Sequence, residues 1–270
     1  MSSDGTQKFL FDILDGNAIE SVLMKYHHGN TICVSSQVGC KMGCKFCAST
    51  GIKFVRSLSA GEIVEQVLAV ERESGEKISN IVFMGIGEPL DNYDNVIHAI
   101  RILNNPKGLN IGARHISVST SGIVPRIYDL AKENIQCTLS VSLHATNNEK
   151  RSQMMPINKK YPIGVLIKSL KDFVNKTKNR VTIEYTLIGE NNDSLADAKE
   201  LSLLIKDLKC NVNLIIYNPV LGDKYKRPQK INIQKFKYIL EQSGKKVTIR
   251  LERGADIDAA CGQLSGKYCK

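Results

Sequence analysis

From Thr31 to Leu251 the chain alternates short β-branched runs with longer stretches of helical period, and this alternation limits the fold more than any other feature. Strand-like runs lie at Thr31–Ser36, Asn80–Met84, His115–Thr120, Cys137–Leu143, Arg180–Leu187, Asn213–Tyr217 and Lys246–Leu251. Helical patterns separate them at Ser59–Glu73, Asn92–Leu103, Pro125–Glu133, Ile163–Asn175, Ser194–Leu208 and Ile233–Gln242. In the first of these, Ile63, Val64, Val67, Leu68 and Val70 fall on one helix face. Ser59 ahead of Glu62 has the form of a capping box. Strands joined through helices pair in parallel by right-handed crossovers. The pattern therefore predicts an α/β fold, a partial (β/α)6 TIM-like barrel. A flat doubly wound sheet is the structural competitor, and in both cases ligands bind beyond the C-terminal ends of the strands. Ahead of this region, Lys8–Leu14 and Ala18–Met24 flank Asp15-Gly16, a hairpin signal. No linker, short repeat or low-complexity stretch divides the chain. The expected organisation is one domain: a β-hairpin extension over 1–30, the barrel over 31–252, and a tail over 253–270.

Size and composition narrow the class. The 270 residues, 42% hydrophobic, are enough for a sizeable core. No apolar run approaches the ~20 residues that span a bilayer. The first residues lack the basic-then-apolar layout of a signal peptide. These features predict a soluble, cytoplasmic protein. Lys and Arg outnumber Asp and Glu by 37 to 27. Such an excess suits a polyanion, because neutralising phosphates releases counterions; it is also compatible with a merely solvated basic surface.

Eight cysteines in a reducing compartment are not a disulfide scaffold. Cys33, Cys40, Cys44 and Cys47 crowd into one loop, Cys261 and Cys269 lie near the end, and Cys137 and Cys210 stand alone. Cys40, Cys44 and Cys47 follow the spacing Cys-x3-Cys-x2-Cys just after the first barrel strand. Three soft thiolates can hold three corners of a 4Fe–4S cube and leave one iron open for a non-protein ligand. Gly39 and Gly43 let the loop bend around such a cluster, and Met42 and Phe46 supply an apolar wall. The competing reading is a structural zinc site completed by Cys33 or a histidine, although zinc knuckles usually pair two Cys-x2-Cys elements.

Other polar residues fall at strand ends. Phe83-Met84-Gly85-Ile86-Gly87-Glu88-Pro89-Leu90 follows the second barrel strand; its glycines admit close backbone approach, and Glu88 can accept hydrogen bonds from an ammonium group. Ser119 and Ser121 follow the third strand, Ser142 and His144 the fourth, and Asn218 the sixth. Each alone is explained by a turn or cap; together they outline one rim. Cys261 sits in Arg253–Leu264, a small-residue stretch that reads as a mobile tail loop, where a free Cys can be a reactive thiolate. Cys137, Cys210 and Cys269 read as incidental thiols.

The triplet resembles the signature of the radical S-adenosylmethionine (SAM) superfamily. The whole constellation resembles the RNA adenine methyltransferases of the RlmN/Cfr type. The resemblance rests on Val34-Ser35-Ser36-Gln37-Val38-Gly39-Cys40, Gly87-Glu88-Pro89, Ser142-Leu143-His144, Met155-Pro156-Ile157-Asn158 and the Asp256–Leu264 tail, and it runs from about Lys8 to Tyr268. Glu88-Pro89-Leu90-Asp91-Asn92-Tyr93 and Glu184-Tyr185 are similar to the RlmN branch. That branch methylates carbon 2 of an adenosine in 23S ribosomal RNA and of one beside the anticodon in some tRNAs. The Cfr branch methylates carbon 8 of the ribosomal adenosine and confers antibiotic resistance.

The resemblance implies a 4Fe–4S cluster on Cys40, Cys44 and Cys47, with SAM contacted by Gly87, Glu88, Ser119, Ser142, Leu143, His144 and Asn218. It further implies two SAM per turnover. One methylates Cys261; the other, cleaved at the cluster, yields the radical that activates the S-methyl group for addition to the electrophilic ring carbon. Cys33 then frees the product through a transient disulfide with Cys261, and Glu20 accepts a proton. Judged as a strand residue alone, Glu20 is expected to be exposed. A one-electron reductant such as flavodoxin or ferredoxin, an RNA partner and a monomeric state complete the expectation. Family members usually carry a separate N-terminal helical domain that helps hold RNA, and this chain starts about where that domain would end. A reading of another class is a non-catalytic iron–sulfur or zinc RNA-binding protein, for which Cys261 would be dispensable.

Overall fold

The computed structural model describes residues 1–220 and 224–264. Cys269 lies outside the described residues. Three antiparallel strands open the chain: β1 (Gln7–Asp12), β2 (Ala18–Tyr26) and β3 (Gly29–Cys33). The β1–β2 hairpin turns at Asp15-Gly16, where the Gly16 amide donates to the Ile13 carbonyl at 2.9 Å. Two short strands, β4 (Gln37–Val38) and β5 (Arg56–Ser57), then pair antiparallel across the cysteine loop. The alternating part follows: α1 (Ala60–Ser74), β6 (Ile78–Phe83), α2 (Tyr93–Asn104), β7 (Ile116–Thr120), α3 (Val124–Leu130), β8 (Thr138–Ser142), α4 (Asn148–Met154) and α5 (Ile163–Thr177). It ends with β9 (Val181–Leu187), α6 (Leu195–Leu204), β10 (Cys210–Ile216), α7 (Lys230–Gln242) and β11 (Lys246–Arg250).

The nine long strands form one sheet in the order β1-β2-β3-β6-β7-β8-β9-β10-β11, parallel from β3 onward. A doubly wound sheet reverses its strand order part-way; this one never does. Every right-handed crossover therefore lays its helix on the same face, and the sheet curls around the other. The result is a partial barrel, open between β11 and the N-terminal strands, with the expected hairpin extension at its edge.

The period-two pattern of the strands sorts their side chains between the two faces. Ile116 and Val118 of β7, Leu139 and Val141 of β8, Ile183 and Tyr185 of β9, and Val212 and Leu214 of β10 join the core under the helices. Ile63, Val67 and Val70 of α1, Val96 and Ile100 of α2, and Phe236 and Leu240 of α7 meet them there. Ser119, Ser142, Glu184 and Thr186, at the intervening positions, line the interior.

Two small elements escape the periodicity reading. Helix α4 is largely polar, and it is started by Asn147, whose side chain accepts from the Lys150 amide. The β4–β5 ladder is too short to carry a pattern. The Ser59 cap is present as expected: Ser59 accepts from the Glu62 amide, and the Glu62 carboxylate accepts from the Ser59 amide at 2.8 Å. The Ser59→Ala variant is expected to lose about 1 kcal/mol of unfolding free energy, read as a lower midpoint in urea with an unchanged slope.

Candidate active site

The C-terminal ends of the strands open onto a cavity of about 970 Å³, part of it continuous with solvent. Its wall carries Cys40, Cys44 and Cys47 from the β4–β5 loop. That loop is tied down on several sides. The Lys45 amide donates to the Met154 carbonyl at 2.9 Å, fixing it to the end of α4, and Thr50 Oγ1 donates to the Cys44 carbonyl at 2.7 Å. Gly39 has φ +74°, and a Cβ there would stand 2.2 Å from the Lys53 carbonyl oxygen, so the return of the loop leaves no room for a side chain. Burial pushes the Cys40 thiol up to about 11 and raises Cys44 further, with mutual repulsion among the three sulfurs adding to the effect. Sulfurs gathered this way are poor free thiolates; a bound cationic centre supplies the charge that would hold them deprotonated. Among the described residues no three His, Cys, Asp or Glu side chains are grouped so as to hold a metal ion. Cys33, a fourth ligand that the single-zinc reading needs, lines an adjoining cavity and not the one that holds the triplet.

The polar rim has a single organiser, Arg151 of α4. Its side chain is fully buried. It donates to the carbonyls of Ser121 (2.7 Å), Ser142 (3.0 Å) and Leu143 (3.1 Å) and to Asn158 Oδ1 (3.1 Å). The ends of β7 and β8 are thereby held together without a carboxylate partner. Desolvation pulls the guanidinium down to about 10, so it stays charged at neutral pH.

His144, the second residue past β8, has φ +55°, and the Ala145 amide bonds back to the Leu143 carbonyl at 2.8 Å. This tight γ-turn is a strained conformation of the kind found at ligand sites. The ring packs edge-on against Phe46 at 4.8 Å between centroids. Nδ1 accepts from the Thr186 amide at 2.9 Å. Burial lowers the imidazole to about 3, with Arg151 adding to the shift, so the ring is neutral and its proton sits on Nε2. Asn192 completes the support, donating to the His144 and Thr186 carbonyls at 2.8 and 2.7 Å.

Glu88 is buried in the cavity wall. Its carboxylate accepts from the Ser121 amide at 2.7 Å and the Leu90 amide at 3.0 Å, while desolvation raises it above the usual carboxylate range. Gly87 lies so close to Gln37 that a Cβ would stand 2.6 Å from that residue's Cβ. Asn92, in the segment that signals the RlmN branch, ties the carbonyls of Ser36 and Leu58 at 2.8 and 2.7 Å.

The structure brings most of the expected site residues together. Gly87, Glu88, Ser119, Ser142, His144 and Asn218 line the cavity with the triplet and Cys261. Leu143 does not; its side chain lies in the core and only its carbonyl reaches Arg151. Cys33 lines an adjoining cavity together with Cys261, Met84, Asn218 and Arg250. The tail read as mobile is held in place over its described part. The Gly262 carbonyl accepts from the Ala48 amide at 2.7 Å, the Leu264 carbonyl from Ser49 Oγ at 2.8 Å, and the Cys261 carbonyl from Asn218 Nδ2 at 3.2 Å.

Two expectations are corrected. Glu20 is not exposed: it is 1% accessible and paired with Lys8 Nζ at 3.1 Å; its face of β2, with Val22 and Met24, is covered by Ala259 and Leu264 of the tail. It lines neither cavity. The disulfide between Cys33 and Cys261 is not supported, since both are free thiols.

Sequence reasoning missed Arg151, Asn192 and the interior side of Glu184. Asn147 as a helix cap was the one available signal for α4; nothing in the sequence announced that an arginine there would be buried.

The residues present fit a cluster and SAM. Beside the three sulfurs, Asn218 Oδ1 is buried on the cavity wall with no hydrogen-bond partner among the described residues. Buried polar atoms are seldom left so, and a ligand rich in hydroxyl and amino groups answers it.

The fold and the triplet define a radical SAM protein, and residues 34–201 match the family model described as the radical SAM superfamily. A relative from Clostridium botulinum, described as "probable dual-specificity RNA methyltransferase RlmN", is 54% identical over 267 residues, spanning 99% of this chain and 77% of its own length. One of the same description from Clostridium tetani is 55% identical over 99% of this chain and 76% of its own. A crystal structure of a radical SAM methyltransferase from Sphaerobacter thermophilus superposes with a TM-score of 0.96 at 48% identity, covering 99% of this chain and 80% of that one. The chain belongs to the RlmN family of radical SAM RNA methyltransferases.

Two outcomes follow from the rim. Arg151→Met leaves three buried carbonyls without their donor and is expected to cost at least about 3 kcal/mol, measured as a shift in the urea midpoint. His144 refuses a proton that the unfolded chain accepts below its free value near 6.5. Stability is therefore expected to fall by up to about 1.4 kcal/mol per pH unit as pH drops from 6.5 toward 3. The His144→Gln variant should lose that part of the slope, seen by comparing thermal midpoints across the range.

Proposed function

We propose that this chain methylates carbon 2 of an adenosine in 23S ribosomal RNA and in tRNA, carrying the methyl group on Cys261. The observation that carries this reading is the position of Cys261. The tail is the last described part of the chain, yet it places this thiol on the wall of the cavity formed by the early cysteine loop.

Cys40, Cys44 and Cys47 would hold a 4Fe–4S cluster, which when bound would supply the one-electron reduction that cleaves SAM. The chain's own residues do the placing. Glu88, with two amides already on its carboxylate, presents an acceptor to the SAM ammonium group. Ser119, Ser121, Ser142 and Asn218 offer hydroxyl and amide groups to the rest of SAM, and neutral His144 offers its Nε2 proton. Phe46, Met42 and Met155 line the apolar part of the wall and keep water from the radical. Carbon 2 of adenine is electrophilic, so it cannot draw a methyl group from SAM directly; a sulfur-borne methyl on Cys261 provides the alternative route. Cys33, across the adjoining cavity, is the nearby thiol available for product release. The expected setting is the cytoplasm, with the protein a monomer reduced by a flavodoxin or ferredoxin. No helix among the described residues is long and apolar enough to cross a membrane.

The test is anaerobic loading with iron, sulfide and SAM, followed by incubation with ribosomal and tRNA fragments and mass spectrometry of the nucleosides. The expected product is 2-methyladenosine, with formation lost in Cys261→Ala while the cluster absorbance is retained. Appearance of 8-methyladenosine instead would assign the chain the Cfr chemistry. An unmethylated Cys261 in protein isolated with its cluster and SAM supply intact would overturn the reading.

A further inference from the structure

The second cavity contains a charge that the proposed reaction has not used. Its wall carries Arg250, Glu252 and Arg253 together with Cys33 and Cys261. Two of the three ionised groups are matched. Glu252 is paired with Arg227 at 2.6 Å. Arg253 reaches Asp4 at 3.8 Å and stacks on the Tyr26 ring at 5.3 Å. Among the described residues Arg250 has no such partner. It ends β11, in register with Ile215 of β10, and its guanidinium lies against Met84 Sδ. A thioether neutralises nothing. Glu184 acts on Arg250 through space only, spending one carboxylate oxygen on Asn213 Nδ2 at 3.0 Å. The remaining groups within electrostatic reach are Tyr26, Cys33 and Cys261, and among all of them Cys261 acts on Arg250 most strongly. A partly buried cation that shares a cavity wall with two thiols, and on which Cys261 acts more strongly than Glu184, Tyr26 or Cys33, is placed to compensate charge on sulfur.

The need is real for Cys33. Burial, with the neighbouring Cys261 sulfur adding to it, drives its thiol up to about 12. Arg250 and the Met84 amide are the two groups that pull it down.

We propose that Arg250 is the positioning residue for the Cys33–Cys261 pair, its guanidinium stabilising negative charge on both sulfurs and Glu184 tempering it from the far side. This rests on the two thiols being the working pair described above.

The experiment reads the thiols themselves, without RNA and without turnover. Cluster-loaded protein is pulsed anaerobically with iodoacetamide at pH 8, and alkylation is followed cysteine by cysteine by mass spectrometry. In Arg250→Gln, Cys261 and Cys33 are expected to react roughly fivefold more slowly than in the parent, while Arg250→Lys recovers much of the rate. Glu184→Gln should move the rates the other way. Cys137 and Cys210, buried elsewhere, report on folding: if they become reactive in Arg250→Gln, the Glu184→Gln and Arg250→Lys pair decides. Unchanged rates at both thiols in Arg250→Gln with Cys137 still protected, or in Glu184→Gln if that variant must decide, overturn the proposal. Failure of the proposed function would show instead in the nucleoside analysis, with these rates intact.

Discussion

The alternation of side chains along the parallel strands is the constraint from which the rest follows. One set of positions is apolar and must be covered by helices, which all arrive on one face because the strand order never reverses. The other set is small and polar, and it cannot pack a dry core. Ser119, Ser142, Glu184 and Thr186 are stable on the interior face because that face leads to a cavity. The same period that builds the barrel wall therefore reserves the interior for a ligand.

A polar interior has to be held open, and strand-end carbonyls and buried side chains do that work. Arg151 collects the ends of two strands, Asn192 braces the turn at His144, and Asn92 anchors the start of the cysteine loop. These ties come from loops and short helices. Loops carry function where a scaffold fixes them, and here each fixing bond can be named. Burial sets the electrostatics: His144 is kept neutral, Glu88 and Glu184 are raised, and the fully buried guanidinium of Arg151 is wrapped in carbonyl oxygens.

Much of this was legible beforehand. Long periodic segments such as those around Ile63 and Leu166 announced their helices, and Cys-x3-Cys-x2-Cys announced its chemistry, since few arrangements demand three thiols so close. Strand-end residues such as Glu88 and Asn218 were legible because a barrel has one business end. Glu20 was misread because a strand residue's exposure depends on what covers it, and Lys8 with Ala259 and Leu264 of the tail are recognisable as cover only in three dimensions. Arg151 was illegible for a related reason: a lone arginine in a polar seven-residue helix has the profile of a surface residue, and its burial depends on carbonyls from strands elsewhere in the chain. Arg250 likewise acquires its meaning from Met84 and two cysteines that come to it from three other segments.

The sheet is open between β11 and the N-terminal strands, and the tail crosses that opening. Ser2 and the Ser3 amide both hold Asp256, the Asp4 carboxylate accepts from the Gly254 amide, and Lys8 Nζ reaches the Asp258 carbonyl. The barrel is thus fastened by a clasp rather than a strand. A clasp of side-chain and turn contacts can be undone without breaking a β-ladder, so the seam is the part of the wall whose release disturbs the fewest backbone pairings. Cys261 rides on that clasp, and the distance it can reach is gauged from residues at the opposite terminus.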